Sequence, residues 1–264
     1  MAELQICMLG SFEVCRDFAP LPPAVWRNPL NARLLKLVLV MRPDPFPTDI
    51  GCHLLGPGVQ PPAVAAAVDQ INQVLRPEAE LVVDRGRIHF RPGPRSWIDV
   101  DALMAHFQSG VAAAARGEIL PALLAFQEAD ALYQGDLLEE LQEPWVDKPR
   151  RKLQELYTEI LERLAEGHAV LARYQDAVGF CHKTLAHAPL RESAYQRMMV
   201  YYYYLGDMGG AAEAYQACAE ALTGAGRSVS PETEQLWLQL STRELPAAPG
   251  VTAAAGVSKK MPAK

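Results

Sequence analysis

Residues 173–185 read RYQDAVGFCHKTL and residues 206–219 read GDMGGAAEAYQACA; at an offset of 34 residues, Tyr174 falls on Met208 and Ala177 on Ala211. That period, with small residues at equivalent places, belongs to tetratricopeptide helix pairs, in which alanine or glycine lets two antiparallel helices approach closely. A weaker third copy begins at RGEILPALLAFQEADALY, residues 116–133. The chain from Asp99 to about Leu240 therefore reads as about three helix pairs. A last helix follows, which Ser230, Pro231 and Glu232 would start, since serine caps an N-terminus and proline suits the first helical position.

Upstream of the repeats the pattern changes. LQICMLGSFEVC at residues 4–15 has the apolar clustering of strands, and the proline-rich FAPLPPAVW after it is a loop. LNARLLKLVLVM has helical periodicity with Arg33 and Lys36 on its polar side. RPDPFP breaks the chain before TDIGCHLL, a short helix that Thr48 can cap and that Gly-Pro-Gly ends. AVAAAVDQINQVLR at residues 63–76 is a further helix, with Val64, Val68, Ile71 and Leu75 on its buried face. ELVVDRGRIHFRPG then reads as two short strands joined by a tight Arg85-Gly86 turn. Strand, three helices and a hairpin is the order of a winged helix. The fold class expected is mainly α, an α+β winged helix over residues 1–98 followed by an α-helical, tetratricopeptide-like domain over 99–245. Residues 246–264, rich in Ala, Pro and Gly, read as a disordered tail.

Half of the 264 residues are hydrophobic, which suffices for buried cores. The formal charge of -6 removes the simplest argument for nucleic-acid binding, a globally basic surface. Its distribution is uneven: residues 1–98 hold 10 Lys/Arg against 9 Asp/Glu, and the remainder 15 against 22. MAELQICMLGSF shows no secretory signal, and LLKLVLVM is too short to span a bilayer, so no membrane association is expected. Five cysteines without a CxxC pair point to free thiols in a reducing cytoplasm.

The segments LQICMLGSFEV, WIDVDALMAHF, YQGDLLEELQEPWVDKPRRKLQELYTEILERLAE, ARYQDAVGFCHKTLAHAPLRESAYQRMM and GRSVSPETEQLW follow one another in an order and spacing that resemble the bacterial transcriptional activator domain family. That is the architecture of the Streptomyces antibiotic regulatory proteins, and the likeness runs over about residues 3–242. It implies a response-regulator-type winged helix joined to a tetratricopeptide-like activator domain, acting by DNA binding and recruitment of the transcription machinery. Trp145 and Trp237 match the family's hydrophobic pattern and are read as core.

One element departs from the family. Its reading helix resembles LRVALSRLRRAL, and the arginines of that pattern fall here on Ala65, Gln70, Asn72 and Gln73, while Asp69 adds a negative charge. Because phosphate neutralisation supplies most non-specific DNA affinity, this helix starts at a disadvantage. The amides of Gln70, Asn72 and Gln73 could read base edges, or belong to a solvated face that touches nothing. Positive charge gathers instead at Arg85, Arg87, Arg91 and Arg95 on or after the hairpin, a wing that can reach a minor groove. Arg27, Arg33, Lys36 and Arg76 complete the candidate DNA-contacting set. In the repeats, Tyr201, Tyr202, Tyr203 and Tyr204 point in all directions on one helix, so some are core and others are candidates to line a partner groove.

No chemistry-bearing motif accompanies these residues: there is no phosphate loop, no G-x-S-x-G and no H-E-x-x-H. Cys181, His182 and His187 lack the spacing of a metal site. No enzyme activity, metal or cofactor is expected. Two readings remain open. In one, the protein is a transcriptional regulator that binds double-stranded DNA, with RNA polymerase, another regulatory protein or a second copy of itself meeting the repeats. In the other, it is an adaptor whose winged helix has lost DNA binding and whose repeats hold a protein or small ligand.

Overall fold

The computed structural model describes residues 3–242, which form two compact units, residues 3–106 with 131–155 and residues 107–130 with 156–242. The tail read as disordered lies outside the described residues.

The first unit opens with strands β1 (Leu4–Cys7), β2 (Glu13–Arg16) and β3 (Ala19–Pro20) and a 3-10 turn at Val25–Arg27. Then come α1 (Pro29–Val40), β4 (Phe46–Pro47), α2 (Thr48–Leu55), α3 (Pro61–Leu75), the hairpin β5 (Ala79–Asp84) and β6 (Arg87–Pro92), and β7 (Ser96–Ile98). Leu4 and Ile6 alternate into the core from β1, as a half-buried strand requires. β1 pairs antiparallel with β2 and parallel with β7, giving the order β3-β2-β1-β7, while β4 joins the hairpin in a second sheet, β4-β6-β5. The strands β3, β4 and β7 are two or three residues long, too short to show a period of two, and sequence reading does not see them.

Helix α1 starts where Asn28 accepts from the Leu30 amide at 3.1 Å and Pro29 takes the first helical position. Thr48 does not cap α2: it is the first helical residue, and its amide and hydroxyl both donate to the Gly86 carbonyl, at 2.9 and 3.0 Å. The turn of the hairpin is therefore pinned to the start of α2. Arg85 and Gly86 have φ of 49° and 72°, the two left-handed residues that a tight hairpin turn matching strand twist demands.

Gly93 sits where a Cβ would lie 2.3 Å from the Glu78 carbonyl oxygen, the acceptor of its own amide at 2.8 Å. Both atoms are backbone, so neither can swing aside. Gly93→Ala is expected to cost about 1–3 kcal/mol, read as a lower urea midpoint.

Residues 131–155 complete this unit. The amides of Gly10 and Leu138 donate to the carbonyls of Asp136 and Met8 at 3.0 and 2.8 Å, and Arg150 donates to the carbonyls of Leu137, Leu138 and Leu141. Asp99 accepts from the amides of Met8, Leu9 and Val100 at 2.6 to 2.8 Å, closing the end of β1. The unit thus extends beyond residue 98, where the composition changes, because backbone groups left open at the end of β1 find partners there.

The second unit is helical. The helices of the chain's second part are α4 (Asp99–Ala115), α5 (Ile119–Leu132), α6 (Pro144–Val170), α7 (Tyr174–His187), α8 (Glu192–Tyr204), α9 (Met208–Gly224) and α10 (Pro231–Ser241); α4 up to residue 106, the last two residues of α5 and α6 up to residue 155 belong to the first unit. They form the pairs α4/α5, α6/α7 and α8/α9 followed by a last helix. The starts of α7 and α9 reproduce the repeat, and Ala177 and Ala211 are both fully buried. Between α4 and α5 the close approach is made by Gly110, where a Cβ would lie 2.5 Å from the Phe126 ring. Ser230 caps α10 by accepting from the Thr233 amide at 3.3 Å, and Glu192 of α8 accepts from the Ser230 amide and Thr233 hydroxyl at 2.8 and 2.6 Å. Trp237 stacks on Tyr215 at 5.3 Å on the margin of the core, and Trp145 is half-buried in the first unit.

Candidate nucleic-acid interface

Helix α3 buries Val64, Ala67, Val68, Ile71 and Leu75 and turns Ala65, Ala66, Asp69, Gln70, Gln73 and Arg76 outward. Asn72 is not on that face. It is 6% exposed; its side-chain amide donates to the Leu81 carbonyl at 2.8 Å and its carbonyl accepts from the Leu81 amide at 2.7 Å. It therefore holds the hairpin to α3 and is removed from the base-reading set. The signal was a polar residue beside Ile71 with nothing in the local pattern to satisfy it; its partner becomes evident only when β5 folds back. Gln70 is exposed, but its side-chain carbonyl accepts from Asn31 at 2.9 Å, and Asn31 also donates to the Val25 carbonyl at 2.7 Å. That chain of bonds sets the 3-10 turn, with Arg27 at its end, alongside α3. Gln73 keeps an exposed position.

Most of the basic candidates are occupied within the first unit. Arg33 pairs with Glu143 at 3.1 Å and Lys36 with Glu140, so α1 spends both cations on the segment from 139 to 143. Neither presents the unpaired charge that a phosphate contact needs. Arg76 and Arg91 share Glu80, at 2.8 and 2.6 Å. Arg87 donates to the Pro45 carbonyl, fixing the hairpin to the strand before α2. Arg95 pairs with Glu78 at 3.4 Å, where Arg16 is also engaged at 2.8 Å. Arg27 and Arg85 are exposed and make no ion pair among the described residues. Only the Arg76 and Glu80 pair, four residues apart, was within reach of local sequence reading; Glu140 and Glu143 are more than a hundred residues from their cations.

The surface that results has an α3 face whose charges are Asp69 and the Glu80-paired Arg76, with Arg27 beside α3 and Arg85 at the wing tip beside the start of α2 the candidate cations that make no ion pair among the described residues. The three acidic residues Glu139, Glu140 and Glu143, which the sequence assigns to the acidic second domain, belong here to the first unit and lower its net charge.

The four tyrosines divide as their helical phases dictate. Tyr201 is 2% exposed, a core residue, and is removed from the groove-lining set. Tyr202 covers Gly210 at the start of α9. Tyr204 stacks on Tyr174 at 5.1 Å and meets Tyr203 edge-on at 5.9 Å, so Tyr202, Tyr203 and Tyr204 are half-buried flanks of the core.

Burial pushes the Cys181 thiol up to about 12 and those of Cys7 and Cys218 to about 11, so all three stay protonated and unreactive at neutral pH. Cys181 is buried while His182 is exposed, and among the described residues no three His, Cys, Asp or Glu side chains are placed to hold a metal ion. Among those residues, too, no helix is long and apolar enough to cross a membrane.

The family model described as bacterial transcriptional activator domain matches residues 98–240, more than half of the chain. The chain belongs to this family. The solved structure of Mycobacterium tuberculosis EmbR in complex with a low-affinity phosphopeptide is similar to it at a TM-score of 0.81 and 18% identity, covering 94% of this chain and 67% of that one. At this identity the likeness concerns the fold, a winged helix joined to tetratricopeptide-like repeats. The TPR2B domain of yeast Sti1 in its pHsp70 complex matches 54% of this chain and 98% of its own, at a TM-score of 0.40 and 16% identity. The Sgt2 TPR domain from Aspergillus fumigatus matches 58% of this chain and 91% of its own, at 0.39 and 19%. No curated protein matches the chain. The transcriptional activator domain family is one of transcriptional regulators, which in general are not enzymes.

Proposed function

We propose that this member of the family is a cytoplasmic transcriptional regulator that meets double-stranded DNA weakly. Arg85 at the wing tip, Arg27 beside α3 and the exposed amide of Gln73 supply the contacts, and the helical repeats meet RNA polymerase or another regulatory protein. The observation that carries this reading is the pair of unengaged arginines, Arg27 beside the exposed α3 and Arg85 at the wing tip, in a unit where every other candidate cation has an internal partner. Phosphate contacts position a duplex and base contacts specify it, so two cations and one amide suit modest affinity with little sequence reading. Arg87 and Arg91 remain at the hairpin and add to the local potential while paired.

The test is fluorescence anisotropy with mixed-sequence duplex DNA at low and physiological salt. Replacing Arg27 and Arg85 together by alanine is expected to weaken binding about tenfold at low salt and to flatten the salt slope by about two. Stability should shift by no more than about 0.5 kcal/mol, since both side chains are exposed. Unchanged binding in the double variant would overturn the wing contact.

A second reading is favoured by one specific feature, the outward face of α3, where Ala65, Gln70 and Gln73 stand at arginine positions of the family pattern and Ala66 and Asp69 lie beside them. In that reading the winged helix is a packed domain without DNA affinity, and the protein is an adaptor working through its repeats. It predicts no retention on duplex DNA even at low salt.

A further inference from the structure

The base of the β5–β6 hairpin carries a groove of about 290 Å³, lined by Pro77, Ala79 and Pro92 and by the side chains of Arg76, Glu80 and Arg91. Ala79 and Pro92 are register partners there, five residues along β5 from the Asp84–Arg87 pair at the turn, or about 17 Å from the wing tip. The close approach of Gly93 to Glu78 fixes the backbone at this end of the hairpin. The volume is near the lower end of the range for small-molecule sites, about 300 Å³.

The ion pairs of this groove are short of carboxylates. Arg76 donates through Nε and Nη2 to one oxygen of Glu80, and Arg91 through Nη1 to the other, so one carboxylate serves two guanidiniums. Nη1 of Arg76 and Nε and Nη2 of Arg91 have no partner among the described residues. The pattern repeats beside the groove, where Glu78 serves both Arg16 and Arg95. Arg16 also donates to the carbonyls of Val74 and Arg76 at 2.8 and 3.1 Å, which sets a cation against the negative end of α3 that would otherwise repel an anion. Glu3 and Asp17, next to the Leu4–Arg16 pair of the β1–β2 ladder, do not line the groove. Four guanidiniums are thus paired with two carboxylates, and the excess is positive.

We propose that this groove binds a small organic phosphate monoester, with the phosphate on Arg76 and Arg91 and the organic part against Pro77, Ala79 and Pro92. Guanidinium forks suit phosphate, whose three strong acceptor oxygens can meet donors arriving from more than one side, whereas a carboxylate offers two oxygens in one plane. Arg76 and Arg91, held by the two oxygens of one carboxylate, are close enough together to share a single phosphate. The three apolar residues give the organic part a surface that water solvates poorly. The groove lies at the opposite end of the hairpin from Arg85, so the inference does not rest on the DNA-binding reading.

The experiment is isothermal titration calorimetry of the full chain with phenyl phosphate at low salt. The expected result is saturable one-to-one binding with a Kd of about 1 mM or lower, at least about threefold tighter than inorganic phosphate or phenylacetate. Arg76→Ala and Arg91→Ala should each weaken it at least about fivefold while keeping the circular dichroism and melting temperature of the parent, as both side chains are mostly exposed. Glu80→Gln should tighten it at least about threefold, because it removes the competing carboxylate and its like charge. Arg151→Ala, which removes an exposed cation elsewhere in the unit, should leave it unchanged. No saturation by about 10 mM, affinity indifferent to Arg76 and Arg91, or phenylacetate bound as tightly would overturn the proposal. Retention of phenyl phosphate when mixed-sequence duplex is added supports the small-molecule site; displacement would give the groove to backbone phosphates and overturn it. Absence of duplex binding in the anisotropy measurement leaves the calorimetry unaffected, so the two readings fail separately.

Discussion

Asn72→Ala is expected to lower the stability of the first unit by about 2–4 kcal/mol, although the residue lies on α3, the helix proposed to face DNA. The substitution strands two buried backbone groups of Leu81, its amide and its carbonyl, each deprived of a bond of 2.7 to 2.8 Å. A buried polar group left without a partner costs the full loss of its hydration, about 1–3 kcal/mol, far more than the net gain from making the bond. Asn72→Asp should be nearly as damaging, since it keeps the acceptor for the Leu81 amide but sets an oxygen against the Leu81 carbonyl. Gln73→Ala, one position on and exposed, should change stability by no more than about 0.5 kcal/mol. Urea unfolding followed by far-ultraviolet circular dichroism separates the three variants. Equal, small effects at positions 72 and 73 would mean that the hairpin is held by its apolar contacts alone.

A second large effect is expected at Glu162 in the repeats. This carboxylate, 8% exposed, accepts from Arg191 at 2.9 and 3.0 Å and from the Ser193 hydroxyl at 2.8 Å, and lies 3.0 Å from an Arg197 nitrogen. Arg197 in turn pairs with Glu166 at 2.6 Å. Helices α6 and α8 are joined by this network. Glu162→Ala removes the bidentate acceptor of Arg191, the acceptor of the Ser193 hydroxyl and one of the two carboxylates beside Arg197, and is expected to cost about 3 kcal/mol. Glu162→Gln should recover part of the loss by keeping one acceptor for Ser193.

The same residue predicts a pH dependence. Burial alone would push the Glu162 carboxyl up, but Arg191, Ser193 and Arg197 together hold it below the usual carboxylate range. With the folded value depressed, the unfolded chain binds more protons in the acid range. The contribution is therefore complete above the unfolded carboxylate value of about 4.3 and is lost as pH falls through the lower folded value. Wild-type stability should drop over that acidic window by more than in Glu162→Gln, which lacks the titrating group. Parallel pH profiles for the two proteins would remove Glu162 from the acid response.

The residues that bear on function were legible in kind but not in role. Arg33 and Lys36 sit on the polar side of α1, as their spacing says, yet their charges are met by Glu143 and Glu140. Glu80 engages both Arg76 and Arg91, so a wing that counts several arginines in sequence keeps a single unengaged one, Arg85. Exposed ion pairs of this kind contribute little to stability. Their effect here is on the electrostatic surface, which decides whether a duplex is attracted.

Local rules account for the elements whose signal lies in a few consecutive residues. The repeat of 34, the proline starts of α1, α3 and α10, the Ser230 cap and the Arg85-Gly86 turn all depend on neighbours along the chain, and all are readable from it. Pairings across long separations follow no such rule. The parallel match of β1 with β7, the bonds from residues 136–141 to the end of β1, the clamp of Asn72 on Leu81 and the ion pairs of α1 with Glu140 and Glu143 are decided only when distant segments meet. Burial makes an open backbone group or an unpaired charge expensive, and folding chooses among many chemically equivalent partners the one that geometry brings within 3 Å or so.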